Sequence, residues 1–367
     1  MDIKSGTQSA QRSGDAGGVD ARTTEKRVLS PTLRDVATAA GVSVAAVSKA
    51  LNQREGVSAR SRERVIKAAE ELGYVERSPK LHAGQISCAT LLTLGRMVSN
   101  DAFYHEVVEG IVQQAELKGI KVIVQMVDEG PELQLDPALP PEADAVILMG
   151  VDYPQLLSFV SGTMLPAVIV NGMDRRMLIP SVSPDYHFGG WVATKHLTDL
   201  GHRDIVHVTH VYRESIRRRL EGFCDALAEA GIAYNPKQHL LDLGSPTRIG
   251  VDARGAVELF LKHRPSPPTA FVCVSDAVAL GTLQAVQAAG FTVPDDIAVI
   301  GFDGLPVSAH SSPPLSSMHI DRRHLGATAV DTLIDFASNG GPVRRVGLGV
   351  ELVVRASSGF ISASKRR

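Results

Sequence analysis

Three short stretches near the N-terminus space their apolar residues three and four apart, the period of a helix with one buried face. In LRDVATAA, Leu33, Val36, Ala37 and Ala40 share a side, Thr32 stands at the capping position with Asp35 at N3, and Gly41 supplies the positive φ that ends a helix. Ser43 caps a second helix, VAAVSKALN, with Val47, Ala50 and Leu51 inward and Val44, Ala45, Ser48 and Lys49 outward. Ser58 caps a third, ARSRERVIKAAEELG, whose stripe is Val65, Ile66, Ala69 and Leu72 and whose stop is Gly73. From Cys88 the period changes. Short β-branched runs at 88–94, 120–127, 145–150, 167–172, 204–210, 270–275 and 297–303 are predicted strands. Helical stretches at about 103–118, 187–200, 215–230, 251–264 and 276–289 fall between several of them. That alternation is the rhythm of a parallel sheet covered on both faces, and the strands suffice for two doubly wound lobes. Ligands of such folds bind beyond the carboxyl ends of strands, which draws attention to Ser275 and Asp303.

Composition narrows the class. The 367 residues exceed what one core usually holds, and 44% hydrophobic with 21% charged residues is ordinary for a globular protein. No apolar run reaches the length of a membrane helix and no secretory signal precedes the first helix, so a cytoplasmic, nucleoid-associated protein without a membrane partner is expected. Cys88, Cys224 and Cys273 lack paired spacing and are expected to be small core residues. The net charge is −2, yet Lys26 to Gly84 holds eleven Lys/Arg against six Asp/Glu. A basic module on an acidic whole is the footprint of a DNA-contacting unit, although a solvated helical surface accounts for the count equally well.

The run TLRDVATAAGVSVAAVSKALNQREGVSARSRERVIKAAEELGY at 32–74 resembles, almost position by position, the DNA-binding headpiece of the lactose/galactose repressor family. Further segments are similar to that family's landmarks in order: DAFYHEVVEGI at 101–111, DYHFGGWVATKHLTDLGHRDI at 185–205, RLEGFCDALAEAGI at 219–232, SDAVALG at 275–281, VPDDIAVIGFDG at 293–304 and ELVVRASSG at 351–359. The resemblance implies an α/β protein: a small all-α helix-turn-helix headpiece followed by a two-lobed, doubly wound parallel-sheet domain of the periplasmic-binding-protein type. The expected organisation is an arm without fixed structure at 1–28, a headpiece at 29–77, a hinge at 78–86 and an effector-binding and dimerisation domain at 87–367. Its N-terminal lobe would take about 87–187 plus 320–345 and its C-terminal lobe about 188–318 plus 346–361. The implied partners are a pseudo-palindromic double-stranded DNA operator, a small-molecule effector (a sugar or sugar derivative) and a second copy of the chain. No cofactor or metal is expected.

A helix-turn-helix sets the start of its second helix in the major groove while capping hydroxyls meet phosphates. Val44, Ala45 and Lys49 are the candidate readers, with Lys49 the main polar one through guanine acceptors. Thr32, Ser43, Ser48, Asn52 and Ser58 are the phosphate or capping set, for which capping alone is an equal account. The hinge departs from the family: YVERSPKLHAGQ lacks the usual Pro-Asn pair and reaches its leucine about two residues early, leaving Leu81 as the candidate minor-groove wedge. In the core the resemblance marks Arg219 and Asp303 as ligand-holding, with Asp101, Phe103 and Tyr104 as an aromatic wall. Ser275 and Tyr186 stand where relatives often carry Asn. The proline-rich stretch at 128–144 replaces most of a helix common in the family.

An enzyme is disfavoured: the chain has no GxxxxGK[ST], HExxH, CxxC or GxSxG, and His207 and His210 on a predicted strand make a poor metal pair. The competing readings are a ligand-binding protein without a DNA role, and an activator or corepressor-dependent regulator that uses a non-sugar ligand.

Overall fold

The computed structural model describes residues 33–51, 56–72, 86–95, 97, 102–127, 139–210, 213–244 and 249–360. Thr32, Asn52, Leu81 and Asp101 lie outside the described residues, as do the expected arm and residues 78–85 of the expected hinge. Compactness divides the chain between Glu76 and Arg77 into two units.

The smaller unit is α1 (Leu33–Ala40), α2 (Val44–Leu51) and α3 (Ala59–Leu72) around a core of Val36, Ala37, Ala40, Val47, Ala50, Val65, Ala68 and Ala69. Its apolar side chains are short, so the helices pack closely and Arg62 reaches the Ala50 carbonyl at 3.2 Å, satisfying an acceptor near the end of α2. The expected stripe on α3 is corrected at two places. Ile66 and Leu72 are exposed, and Ala68 is buried instead, because a three-helix core this small covers only the narrow face through Val65, Ala68 and Ala69.

The larger unit holds two sheets of matching strand order. In the first, β1 (Cys88–Leu94), β2 (Lys121–Val127), β3 (Ala145–Met149), β4 (Ala167–Val170), β5 (Ser181–Pro184) and β11 (Arg345–Leu348) run in the order β11-β5-β4-β3-β1-β2, all parallel. In the second, β6 (Ile205–Thr209), β7 (Leu240–Asp242), β8 (Ala270–Cys273), β9 (Ala298–Asp303), β10 (Ser316–His319) and β12 (Glu351–Val353) run β12-β10-β9-β8-β6-β7, with only β12 antiparallel. Central strands such as β1, β3, β8 and β9 are buried throughout, as parallel strands covered on both faces must be. The covering helices are α4 (Ala102–Leu117), α5 (Pro154–Gly162) and α12 (Arg322–Asn339) in the first lobe. Those of the second are α6 (Tyr186–Asp199), α7 (Glu214–Glu229), α8 (Pro236–His239), α9 (Ile249–His263), α10 (Asp276–Ala288) and α11 (Pro306–Ala309).

The chain passes between lobes after β5, after β10 and after β11. The last passage follows Leu348 rather than residue 345: the whole of Arg345–Leu348 pairs with Ser181–Pro184, and the chain leaves the sheet at Gly349. Residues 139–144, the described end of the proline-rich stretch, form a turn without a helix, and Asp144 anchors it by accepting from the backbone N–H groups of Ser87 and Cys88.

Each lobe is built on one glycine-paired helix crossing. A Cβ at Gly110 of α4 would lie 2.1 Å from the Arg323 carbonyl oxygen on α12, and one at Gly326 would lie 2.3 Å from that of Val107. In the second lobe a Cβ at Gly190 of α6 would meet the Arg219 carbonyl at 2.2 Å, and one at Gly222 of α7 that of His187 at 2.0 Å. Backbone against backbone leaves no side chain to swing aside. Gly222→Ala is therefore expected to lower unfolding free energy by at least about 3 kcal/mol, the upper end of ordinary overpacking. Gly255→Ala, in α9 with nothing within 4 Å, is expected to stabilise by about 0.4–1 kcal/mol. Urea unfolding of the two variants checks this, and equal effects would contradict it.

Candidate functional site

In the small unit, the Ser43 hydroxyl accepts from the Ala46 N–H at 3.1 Å and the Ser58 hydroxyl from that of Ser61 at 3.2 Å, so both serines cap helices while exposed. Ser43 retains an O–H to donate, which permits a phosphate contact beside the cap, whereas Ser58 donates its own to Ser61 Oγ at 3.0 Å. Lys49 is exposed on α2, and the backbone of Val44, Ala45 and Ser48 lies on the same helix.

In the large unit the strand ends of the two sheets meet. Phe103 and Tyr104 are buried in the first turn of α4, their rings edge to face at 5.2 Å. Asn171, following β4, donates from Nδ2 to the Tyr104 hydroxyl at 2.7 Å, and Tyr186 donates to Asn171 Oδ1. Burial, opposed by the Arg219 charge, pushes the Tyr186 phenol well above its usual range, so this donor stays protonated. From the second lobe Arg213 crosses to Asp152 at 3.3 Å, to the Asn171 carbonyl at 2.7 Å and to the Tyr104 hydroxyl at 3.3 Å. Nearby, Arg175 of the first lobe donates to Glu214 at the start of α7 at 3.0 Å. The Arg217 hydrogen bond to Glu214, reinforced by Arg175, holds that carboxyl down at about 2. A cavity of 400 Å³ lies here, lined by Asp152, Tyr153, Asp174, Arg213 and Arg217 among others.

Arg219 is buried in the corner between two aromatic rings, its guanidinium carbon 4.2 Å from the centroids of both Tyr186 and Phe302. It donates to the Val274 carbonyl just beyond β8, and its Nη2 stands 3.9 Å from Asp303 Oδ1. Asp303, the last residue of β9, has φ +120°, a conformation side chains rarely adopt. It is held from three directions. Arg322 donates to its carbonyl at 2.5 Å, the following Gly304 N–H donates to Ser317 Oγ at 3.1 Å, and the Leu305 N–H donates to the buried Asp276 carboxylate at 2.7 Å. Arg322 also reaches Glu106 on α4 at 3.0 Å, tying both lobes to one cation. Ser275 caps α10, accepting from the Val278 N–H at 3.3 Å.

The structure thus brings Phe103, Tyr104, Arg219, Ser275 and Asp303 to the strand-end region of the large unit. It adds Asp152, Asn171, Arg213, Asp276 and Arg322, which sequence reasoning missed. Arg213 had a weak signal as one of several arginines at the start of α7; Asn171 had only its place after a predicted strand. No group of three His, Cys, Asp or Glu suited to a metal occurs among the described residues.

A compact helical unit with a basic sequence, joined to a two-lobed binding domain whose cleft presents cations, a carboxylate and aromatic rings, defines a ligand-responsive DNA-binding protein. Residues 32–76 match the model of the bacterial regulatory proteins of the lacI family, and 194–358 that of the periplasmic binding protein-like domain. The chain belongs to the lacI family, whose members are DNA-binding transcriptional regulators controlled by small-molecule effectors. It is 32% identical over 337 residues to the HTH-type transcriptional repressor PurR of Photobacterium profundum, covering 89% of this chain and 98% of that one. It is 30% identical over 318 residues to the ribose operon repressor of Haemophilus influenzae, covering 84% and 92%. Among solved structures it resembles the transcriptional regulator CelR–cellobiose complex (TM-score 0.66, 27% identity, 89% and 99% covered). It also resembles the lac repressor dimer bound to operator and the anti-inducer ONPF (TM-score 0.65, 28% identity, 90% and 99% covered).

The large unit also carries a titrating group that makes its stability depend on pH. His207 is buried in β6, stacked on Phe223 with 5.2 Å between ring centroids and bonded through Nδ1 to the Val272 carbonyl at 2.9 Å. Burial, opposed by that hydrogen bond, lowers it from 6.5 to about 4. The folded state then prefers neutral imidazole, so its contribution is complete above pH 6.5 and is lost as pH falls towards 4. The loss amounts to about 3 kcal/mol at the lower limit. Burial lowers His196, His202 and His239 as well, adding to the slope. His207→Gln is expected to flatten the pH dependence of unfolding free energy in this window by about one proton's share, and an unchanged slope would contradict the assignment.

Proposed function

We propose that this chain is a repressor that binds a pseudo-palindromic operator as a homodimer and releases or tightens its grip when its lobes close on a small polyhydroxylated ligand, a sugar or sugar derivative. The observation that carries the ligand class is Arg219, held between Tyr186 and Phe302 beside Asp303. A guanidinium fork and a carboxylate 3.9 Å apart offer adjacent hydroxyls matched donors and acceptors, and the rings offer faces to C–H groups. Relatives named for ribose and for cellobiose support the same class. On the DNA side, Val44, Ala45 and Lys49 are assigned to the bases, and Thr32, Ser43, Ser48, Asn52 and Ser58 to phosphates or capping. Leu81 is assigned to the minor-groove step between half-sites. The sensing residues are Phe103, Tyr104, Arg219, Ser275 and Asp303, with Asp101 beside them in sequence.

Arg219→Ala and Asp303→Ala each remove a charge-assisted contact worth about 1.5–3 kcal/mol, weakening ligand binding roughly ten- to a hundredfold. If the ligand is an inducer, both variants should bind operator normally and stay bound on its addition; if it is a corepressor, both should bind weakly at any ligand level. Calorimetry with a panel of mono- and disaccharides, paired with operator titrations, decides. A wild-type response from either variant, or saturable binding of a nitrogen heterocycle and no sugar, overturns the assignment. Lys49→Ala is expected to cost about 1–3 kcal/mol at a single base-pair position and to relax preference there. A uniform loss across all sequences would make Lys49 a phosphate contact instead.

A further inference from the structure

The second lobe carries another cavity, at the opposite ends of its strands from the cleft. Its lining comes from Arg203 and Asp204, which precede β6, from Lys237 and His239, which precede β7, and from Arg264, which lies between α9 and β8. These three strands are parallel, so their starts form one edge of the sheet, while Val274 and Asp303 lie at the other. The cavity measures 680 Å³, and Phe260 forms part of its wall.

Its chemistry is one-sided. Three permanent cations, Arg203, Lys237 and Arg264, face a single carboxylate, Asp204. That carboxylate is engaged by Arg264 Nη2 at 2.6 Å. Arg264 also lies over the Phe260 ring at 5.4 Å, and its Nη1 is buried without an acceptor among the described residues. Arg203 donates only to the Thr198 and His202 carbonyls, each at 2.9 Å, and neither it nor Lys237 has a carboxylate within ion-pair distance among the described residues. His239 is buried, and its Nδ1 accepts from the Asn235 N–H at 3.1 Å; the neutral ring must therefore carry its hydrogen on Nε2, as a further donor. His263, also in the lining, donates from Nδ1 to the Leu259 carbonyl at 2.9 Å. Lys262 and His263 lie at the end of α9, where cations complement the helix dipole, but that does not account for Arg203, Lys237 or the orphaned Arg264 N–H.

We propose that this cavity is a second small-molecule site, distinct from the cleft, that takes a phosphorylated ligand. Arg203, Lys237 and Arg264 hold the phosphate, His239 donates to it, and the organic part lies along Phe260. A guanidinium fixed by Asp204 and set over the Phe260 ring is held in one place in the lining, and a net positive, half-enclosed wall raises the local concentration of anions.

Inorganic pyrophosphate is the probe, titrated calorimetrically into the full-length chain at fixed ionic strength, with the same titration followed by phosphorus NMR. Saturable binding at one site per chain is expected. Lys237→Glu, which leaves intact the backbone N–H bond from residue 237 to Asn235 Oδ1, should weaken it at least tenfold, the loss of one charge-assisted contact. Lys121→Glu, the same charge change in the first lobe, should leave it within about twofold, as expected for a distant exposed charge screened by salt. Arg219→Ala should also leave it unaltered, which separates this site from the cleft. Absence of saturable binding, equal weakening by Lys237→Glu and Lys121→Glu, or loss in Arg219→Ala would each overturn the proposal.

Discussion

Parallel pairing governs the large unit. Every strand pairing in its two sheets except that of β10 with β12 is parallel, and parallel strands cannot be joined by hairpins. Most returns therefore carry a helix, although the parallel neighbours β4 and β5 are joined by residues 171–180 without one; the helices cover both faces, and the central strands become apolar on both sides. Polar chemistry is left with the two rims where strands begin and end. At the ending rim Asp152 and Asn171 follow β3 and β4, while Val274 and Asp303 mark the ends of β8 and β9. Two lobes with the same strand order, joined by three passages, bring those ending rims together.

What collects there is costly. Arg213, Arg219 and Arg322 are each nearly withdrawn from water, and burying a cation costs several kcal/mol before its partners are counted. Arg213 recovers this through a carboxylate, a carbonyl and a hydroxyl contributed by the other lobe. Arg219 does so with two ring faces, a carbonyl and Asp303. Such groups contribute little net stability; their effect is to make one arrangement of the lobes far better satisfied than its neighbours. The glycine-paired helix crossings serve the same end. They fix α6 against α7 at backbone contact, and Arg219 and Tyr186 both stand on those helices.

Much of this was legible beforehand, though unevenly. The buried central strands were visible as β-branched runs because burial on both faces makes a strand continuously apolar. Ser181–Pro184, Leu240–Asp242, Ser316–His319 and Arg345–Leu348 were not, since SVSP and SSMH carry polar residues or proline and the others are short rim strands. The helix Arg322–Asn339 escaped because Gly326 interrupts its propensity, and only its packing on Gly110 explains that glycine. Arg219 and Asp303 were found through recurring motifs. Asp276 lies within one of those motifs, yet its role depends on Leu305, Ser308 and Ser317, which are distant in sequence. Arg322 and Arg213 act across the lobes, and no local pattern encodes a partner more than a hundred residues away, as Tyr104 is from Arg213.

The same partners limit what a ligand in the cleft can be. A molecule that draws Arg213 away from Asp152 leaves a buried carboxylate without its cation, a loss of about 3–5 kcal/mol unless the ligand replaces the contact. It must then donate to Asp152 while accepting from Arg213, and do so again between Asp303 and Arg219. A purely apolar ligand satisfies neither pair, and a simple anion satisfies only the cations. The polyhydroxylated ligand proposed above would do both, because each hydroxyl donates and accepts. Its preference for the closed arrangement then equals the difference between what those four charged groups gain with it and what they already gain from one another, and only that difference can move the lobes.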